Sequence, residues 1–407
     1  MQSTKCILIV AAHWAPSGGA VCHSYHNKTT GVAVSARRIA ENLAKKGVKV
    51  TVFAYSLVQQ LAEPILESNE NMEILRFGPK IVHKNSDSPK SEQAARRRQI
   101  LDAMEVEARK RTVVGIFSLF ISDAGLIGTY LSSILNVPLV LGARGIDVTD
   151  HIFDFQRLGS MKLIIEKAAA VVCVNEQIRH RLLTAFPEIK HKTSIIQNGT
   201  EIGNISQSRD EMRMTILNIT EWPSTSLLAA FIGVPREKKG TAYLLNAMLT
   251  FPNDHPLKLL CLGPEPSPID VDAWGNSWNK LKERRQLYCS GIKPRDEILH
   301  LALGADIVVM PSIEDGLANG LLEGMALGLC PIASDNFSDV LTHLKSGLIV
   351  PRGDVAALAT ALDCVVNNAT LRLQMAKEAK RLITNHHSPG REAEDYIQCF
   401  RSAGISI

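Results

Sequence analysis

Two acidic residues, Asp315 and Glu323, stand eight positions apart in PSIEDGLANGLLEGMALGLCPIAS, residues 311–334, where the apolar pattern otherwise describes a chain entering a core. A carboxylate in such surroundings is costly unless it is paired or meets a ligand. The spacing predicts that Asp315 sits where a loop turns toward a helix carrying Leu317, Leu321, Leu322, Met325 and Ala326 at core spacing, with Glu323 about two turns along it. Both acids can then face one ligand from different depths. Acceptors so placed suit the hydroxyls of a sugar or ribose, and the N–H groups of Gly316 and Leu317 near the helix start suit phosphates. The same residues also fit a scaffold, with Asp315 capping the helix and Glu323 in a buried pair.

Cations stand at two comparable places. FIGVPREKKG, residues 231–240, follows an apolar run and offers Arg236, Lys238 and Lys239 ahead of a helix expected near Thr241. Such charges at the mouth of a cleft suit a diphosphate, although a solvated charged turn has the same composition. Near the N-terminus, AAHWAPSGG follows the first apolar run, and Thr30-Gly31 opens an amphipathic stretch. Glycine at a helix start lets a phosphate approach the backbone; a surface loop is the plainer alternative.

Positioning these groups requires strands that end beside them. Short apolar runs at 6–11, 48–54, 73–77, 113–119, 139–143, 170–174 and 194–197 alternate with helical stretches, as do runs at 228–232, 257–262, 287–290, 307–310, 330–333 and 348–350. That rhythm predicts an α/β chain of two doubly wound, Rossmann-like halves with parallel sheets and a cleft between them. In GVAVSARRIAENLAKKG, Val32, Ala36, Ile39 and Leu43 recur at helical spacing, giving a crossover helix. A polar run at 204–214 marks the expected boundary between halves.

Composition agrees with a soluble globular chain: 407 residues, 45% hydrophobic, 21% charged and a net charge of +4. The mild charge gives no indication of nucleic acid. No apolar run reaches membrane-spanning length and no leader is recognisable, so the expected location is the cytoplasm. The eight cysteines are scattered, several in strand-like runs (Cys6, Cys173, Cys261), and are expected to be reduced. No cluster of His, Asp or Cys has metal-ligand spacing.

Residues 311–334 resemble the signature of the retaining glycosyltransferases of family 4, which have the GT-B fold and an acidic pair spaced E-x7-E. Here the pair is Asp315 and Glu323. AAAVVCVNEQIRHRLL, IIQNGTEI, FIGVPREKKGTAYLLNAM, KLLCLGP, YCSGIKPRDEILHLALGADIVVMPS and SGLIVPRGDVAALATAL are similar to successive elements of that family, and they cover nearly the whole chain in its order. Three positions depart from its pattern. Val234 follows Gly233 where an arginine is usual, Arg236 lying two residues on; Arg144-Gly145 stands where many members have histidine before glycine; and Asn336-Phe337-Ser338 replaces a glycine-rich turn.

The resemblance implies a retaining transfer of a sugar from a nucleoside-diphosphate donor, with UDP expected, to an acceptor hydroxyl on a glycan, lipid-linked sugar or small molecule. It implies that Arg236, Lys239 and the N–H groups near Gly31, Gly316 and Leu317 hold the diphosphate, and that Glu323 holds the ribose. Asp315 would hold the transferred sugar, and the backbone at Ile292 would meet the base. No cofactor and no metal are expected. Implied domains are an acceptor domain at 1–203, a donor domain at 204–385 and a final helix at 386–407 packing back on the first. The basic segment at 86–111 could rest on the inner membrane face, although its interspersed acids fit a solvated helix better. A non-catalytic sugar-nucleotide-binding subunit is one alternative. A nicotinamide-dependent oxidoreductase is another, although the first β-α turn has no compact G-x-G-x-x-G.

Overall fold

The structure, a computed structural model, describes residues 5–12, 31–57, 59–80, 89–200, 202–203 and 205–407. These form two compact units, one holding the described residues up to Asn198 together with Pro389–Ile407, the other running Gly199–Ser388.

In the first unit, β1 (Lys5–Ala12), β2 (Val50–Tyr55), β3 (Ile65–Ser68), β4 (Met72–Phe77), β5 (Thr112–Leu119), β6 (Leu139–Ala143), β7 (Ala170–Cys173) and β8 (Thr193–Ile195) form one sheet. Its order is β3-β4-β2-β1-β5-β6-β7-β8. Every pairing is parallel except β3 with β4. All residues of β2 and β6 are buried, because helices cover both faces of a parallel sheet; this is why these strands read as continuous apolar runs. Sequence reasoning missed β3. Its four residues, ILES, are all exposed and carry no alternation, and its Glu67 pairs with Arg76 of β4 at 2.8 Å. A short charged strand of this kind protects a sheet edge from further pairing.

The helix Gly31–Lys45 buries Ala36, Ile39 and Leu43, as its periodicity predicts, and Ala40 with them, while the Val32 side chain lies outside the described residues. Among its described side chains the helix Pro89–Arg109 buries only a thin stripe, Ile100, Met104 and Ala108, while Arg109 pairs with Glu105 at 2.8 Å and Arg96 pairs with Glu92. The helix Pro389–Ser402 returns to this unit. Arg38 grips Glu392 through two hydrogen bonds of 2.6 and 2.9 Å. The fully buried rings of Tyr396 and Phe400 lie 5.0 and 5.6 Å from that of Phe117, within the main core.

The second unit contains β9 (Leu227–Ile232), β10 (Leu257–Leu262), β11 (Leu287–Cys289), β12 (Ile307–Met310), β13 (Cys330–Ser334) and β14 (Leu348–Val350), all parallel, in the order β11-β10-β9-β12-β13-β14. Counted within the unit this is the order 3-2-1-4-5-6 of nucleotide-binding sheets, with its switch point between β9 and β12. The polar run at 204–214 is largely not a linker. Ser208 and Glu211 form a reciprocal cap on the helix Arg209–Thr220, which buries Met212, Ile216 and Leu217. The chain instead passes between units at Asn198/Gly199 and Ser388/Pro389, and the Thr200 N–H donates to the His387 carbonyl at 2.7 Å, joining the two passages.

Candidate functional site

Ligands of such sheets bind beyond the carboxyl ends of strands at the switch point, here the loops after β9 and β12. The loop after β9 turns through Gly233 and a single 3-10 turn, Glu237–Lys239, into the helix Thr241–Leu249. Thr241 closes the loop on itself: its hydroxyl accepts from the Arg236 N–H and donates to the Arg236 carbonyl, both at 3.0 Å. Gly240 is required twice over. Its φ is +71°, and a Cβ there would lie 1.9 Å from the Pro311 carbonyl oxygen.

That close approach brings the second loop against the first. The Ile313 and Glu314 N–H groups donate to the Lys238 carbonyl at 2.9 and 3.2 Å. From the other side, Ser334 Oγ donates to the Ser312 carbonyl at 2.6 Å, and Asn336 Nδ2 donates to the Asp315 carbonyl at 3.2 Å. Fixed in this way, the loops pair Lys239 Nζ with Asp315 Oδ2, two side chains only 22% and 18% exposed.

Asp315 therefore spends its carboxylate on Lys239 and not on a helix cap. The helix that follows is Asn319–Leu327, with Ala318 at its N-cap and no side-chain cap. Gly316 and Leu317, expected at the helix start, are buried in the segment ahead of it, which bends at Gly316 and is extended at Ala318. This helix presses on the sheet through glycines one turn apart: a Cβ on Gly320 would lie 2.3 Å from the Ile232 carbonyl, and one on Gly324 would lie 2.5 Å from Val308 Cβ.

Between those glycines in sequence, Glu323 is 1% exposed and forms an ion pair with Arg295. Among the described residues, neither of its oxygens finds a regular hydrogen-bond donor. The buried-pair reading of Glu323 thus holds. Arg295 escaped sequence reasoning. It is the first residue of the helix Arg295–Leu303, followed by Asp296 and Glu297, and a cation is disfavoured at that end of a helix. That local conflict is the signal that could have found it.

Arg236 is exposed beside the same loop. Ile292, 67% exposed, follows β11 after Gly291, whose φ of +70° turns the chain. Gly31 opens the helix Gly31–Lys45 of the first unit, and the glycine-rich run ahead of it, 13–30, lies outside the described residues.

The Arg144-Gly145 turn after β6 is built around Asp147. Its carboxylate accepts from the N–H groups of Gly145 at 2.9 Å, Arg144 at 3.1 Å and Ile121 at 3.2 Å. Burial nevertheless pushes the Asp147 carboxyl above its ordinary range, against those bonds. The buried Arg144 guanidinium donates to Asn198 Oδ1 and, at 3.3 Å, to Tyr396 Oη. Among the described residues, no group of three or more His, Cys, Asp or Glu side chains could hold a metal ion, and no helix is long and apolar enough to cross a membrane.

Two family descriptions match the chain: Glycosyltransferase Family 4 over residues 29–203 and Glycosyl transferases group 1 over residues 212–382. The alpha-maltose-1-phosphate synthase of Mycolicibacterium smegmatis is 24% identical over 62% of this chain and 69% of its own length. Among solved structures, sucrose-phosphate synthase from Thermosynechococcus elongatus superposes with a TM-score of 0.78 at 19% identity, covering 98% of each chain. Anabaena HepE in complex with UDP and glucose superposes at 0.76 and 14% identity, covering 98% of this chain and 99% of its own.

Proposed function

From the premise that this chain belongs to the family 4 glycosyltransferases of GT-B fold, we propose that it transfers a sugar from a UDP-linked donor to an acceptor hydroxyl with retention of anomeric configuration and without a metal. The observation that carries this reading is the meeting of Lys239 with Asp315 at the switch point, with Glu323 buried eight residues further on. HepE, which shares the fold, binds UDP and glucose, and this supports UDP as the donor nucleotide.

In this reading negative charge accumulates on the departing diphosphate, and groups already fixed in place stabilise it without reorganising. Lys239 and Arg236 supply the cations, aided by backbone N–H groups around Gly316 and Leu317 and at Gly31. They take the role that a metal plays elsewhere at a diphosphate. Asp315, held by Lys239, accepts hydroxyls of the transferred sugar and sets its orientation. Glu323 accepts the ribose hydroxyls, and the exposed turn at Ile292 lies against the base. The first unit would carry the acceptor. The helix Pro89–Arg109, with its paired arginines and thin apolar stripe, is read as solvated and not as a membrane contact.

Incubating purified protein with UDP-sugars tests the proposal. Release of UDP, with the anomeric configuration of the product read by NMR, is the expected result. Tight donor binding without hydrolysis or transfer to any acceptor would favour a non-catalytic binding subunit, and an inverted product would refute retention.

A further inference from the structure

We propose that Arg295 is a positioning residue for the nucleotide, holding Glu323 Oε1 so that Oε2 stands ready for a ribose hydroxyl; this rests on the donor-site reading above. Three observations lead there. Glu323 is almost fully buried, and among the described residues its Oε2 accepts no hydrogen bond. A buried carboxylate oxygen without a donor is unfavourable and gains most when one arrives. Its charged partner is Arg295, whose Nη2 lies against Oε1.

Arg295 is 38% exposed, against 1% for Glu323. The two members of the pair are therefore unequal. The carboxylate is locked on a helix pressed to the sheet through Gly320 and Gly324, whereas the guanidinium reaches it on a flexible stem from the helix Arg295–Leu303. The planar guanidinium can keep one N–H on Oε1 while Oε2 takes a ribose hydroxyl. It keeps Glu323 in one rotamer. Arg295 thus acts on the nucleotide through Glu323. Its placement at the start of a helix, against the helix dipole, marks a residue kept for its tertiary partner.

Calorimetry with ribonucleoside diphosphates and their 2′,3′-dideoxy analogues tests this. Wild-type protein should prefer UDP over dideoxy-UDP. Arg295→Gln should reduce that preference roughly tenfold or more, the scale of one charge-assisted hydrogen bond. In a Glu323→Gln background, Arg295→Gln should change the preference no further. If Arg295→Gln does not fold, Arg295→Lys carries the test, since an ammonium keeps the charge but lacks the planar fork; it should lose part of the preference. An undiminished preference in the variant tested, equal weakening of both ligands, or a continued effect without Glu323 would overturn the proposal. Wild-type protein that binds no ribonucleoside diphosphate would instead refute the donor-site reading on which it rests.

Discussion

Lys239 and Asp315, 76 positions apart in sequence, form an ion pair that joins the loops after β9 and β12. The pair is more than a contact between charges. Lys238, the neighbour of one member, receives the backbone N–H groups of Ile313 and Glu314 through its carbonyl, so the loops are also joined by their backbones. A ligand arriving there finds a cation and a carboxylate already set side by side.

Removing the cation should therefore damage turnover more than folding. Lys239→Ala is expected to lower kcat/KM by on the order of 2–4 kcal/mol, roughly 30- to 1,000-fold, with a thermal transition close to wild type. Arg236→Ala tests the second cation in the same assay. An unchanged kcat/KM would remove the altered residue from the site.

The two acids should separate by ligand. Asp315→Asn is expected to weaken the full donor far more than UDP, which lacks the transferred sugar. Glu323→Gln should weaken both, since both contain the ribose, each by roughly 1.5–3 kcal/mol. Calorimetric affinities for donor and UDP check this directly. Equal loss of donor and UDP in Asp315→Asn would return Asp315 to the scaffold.

Activity should survive excess chelator. Steady-state rates with and without a chelating agent check it, and complete loss restored by magnesium or manganese would show that the cations and N–H groups do not suffice.

Gly240→Ala should destabilise the second unit by roughly 1–3 kcal/mol or more, because a Cβ meets the Pro311 carbonyl at a positive φ. Urea unfolding reads the shift. A variant as stable as wild type would mean that the β9 and β12 loops can part without cost.

Much of this was legible in the sequence because parallel strands are buried on both faces. The runs at 228–232 and 307–310 correspond closely to β9 and β12, and the acidic pair eight positions apart marks the loop and helix that follow. What escaped is what pairs across long separations. Neither the Lys239–Asp315 contact nor the Arg295–Glu323 contact has a local periodicity, since each depends on the order in which strands lie side by side. The exposed edge β3 escaped for the opposite reason: it buries nothing and so leaves no apolar imprint. The polar run at 204–214 misled because capping residues and linker residues share a composition, and Ser208 with Glu211 is a helix beginning.

The helix Pro389–Ser402 also sets an order of events during synthesis. Tyr396 and Phe400 fill the core of the first unit beside Phe117, yet they leave the ribosome only after the whole of Gly199–Ser388 has been made. The described residues of the second unit are continuous in sequence, Gly199–Ser388, and can close while translation proceeds. The first, begun earlier, must hold its sheet with that part of the core uncovered until the last helix arrives. A nascent chain stalled anywhere before residue 389 would thus carry an incomplete first unit, and its exposed apolar surface is what a chaperone would bind.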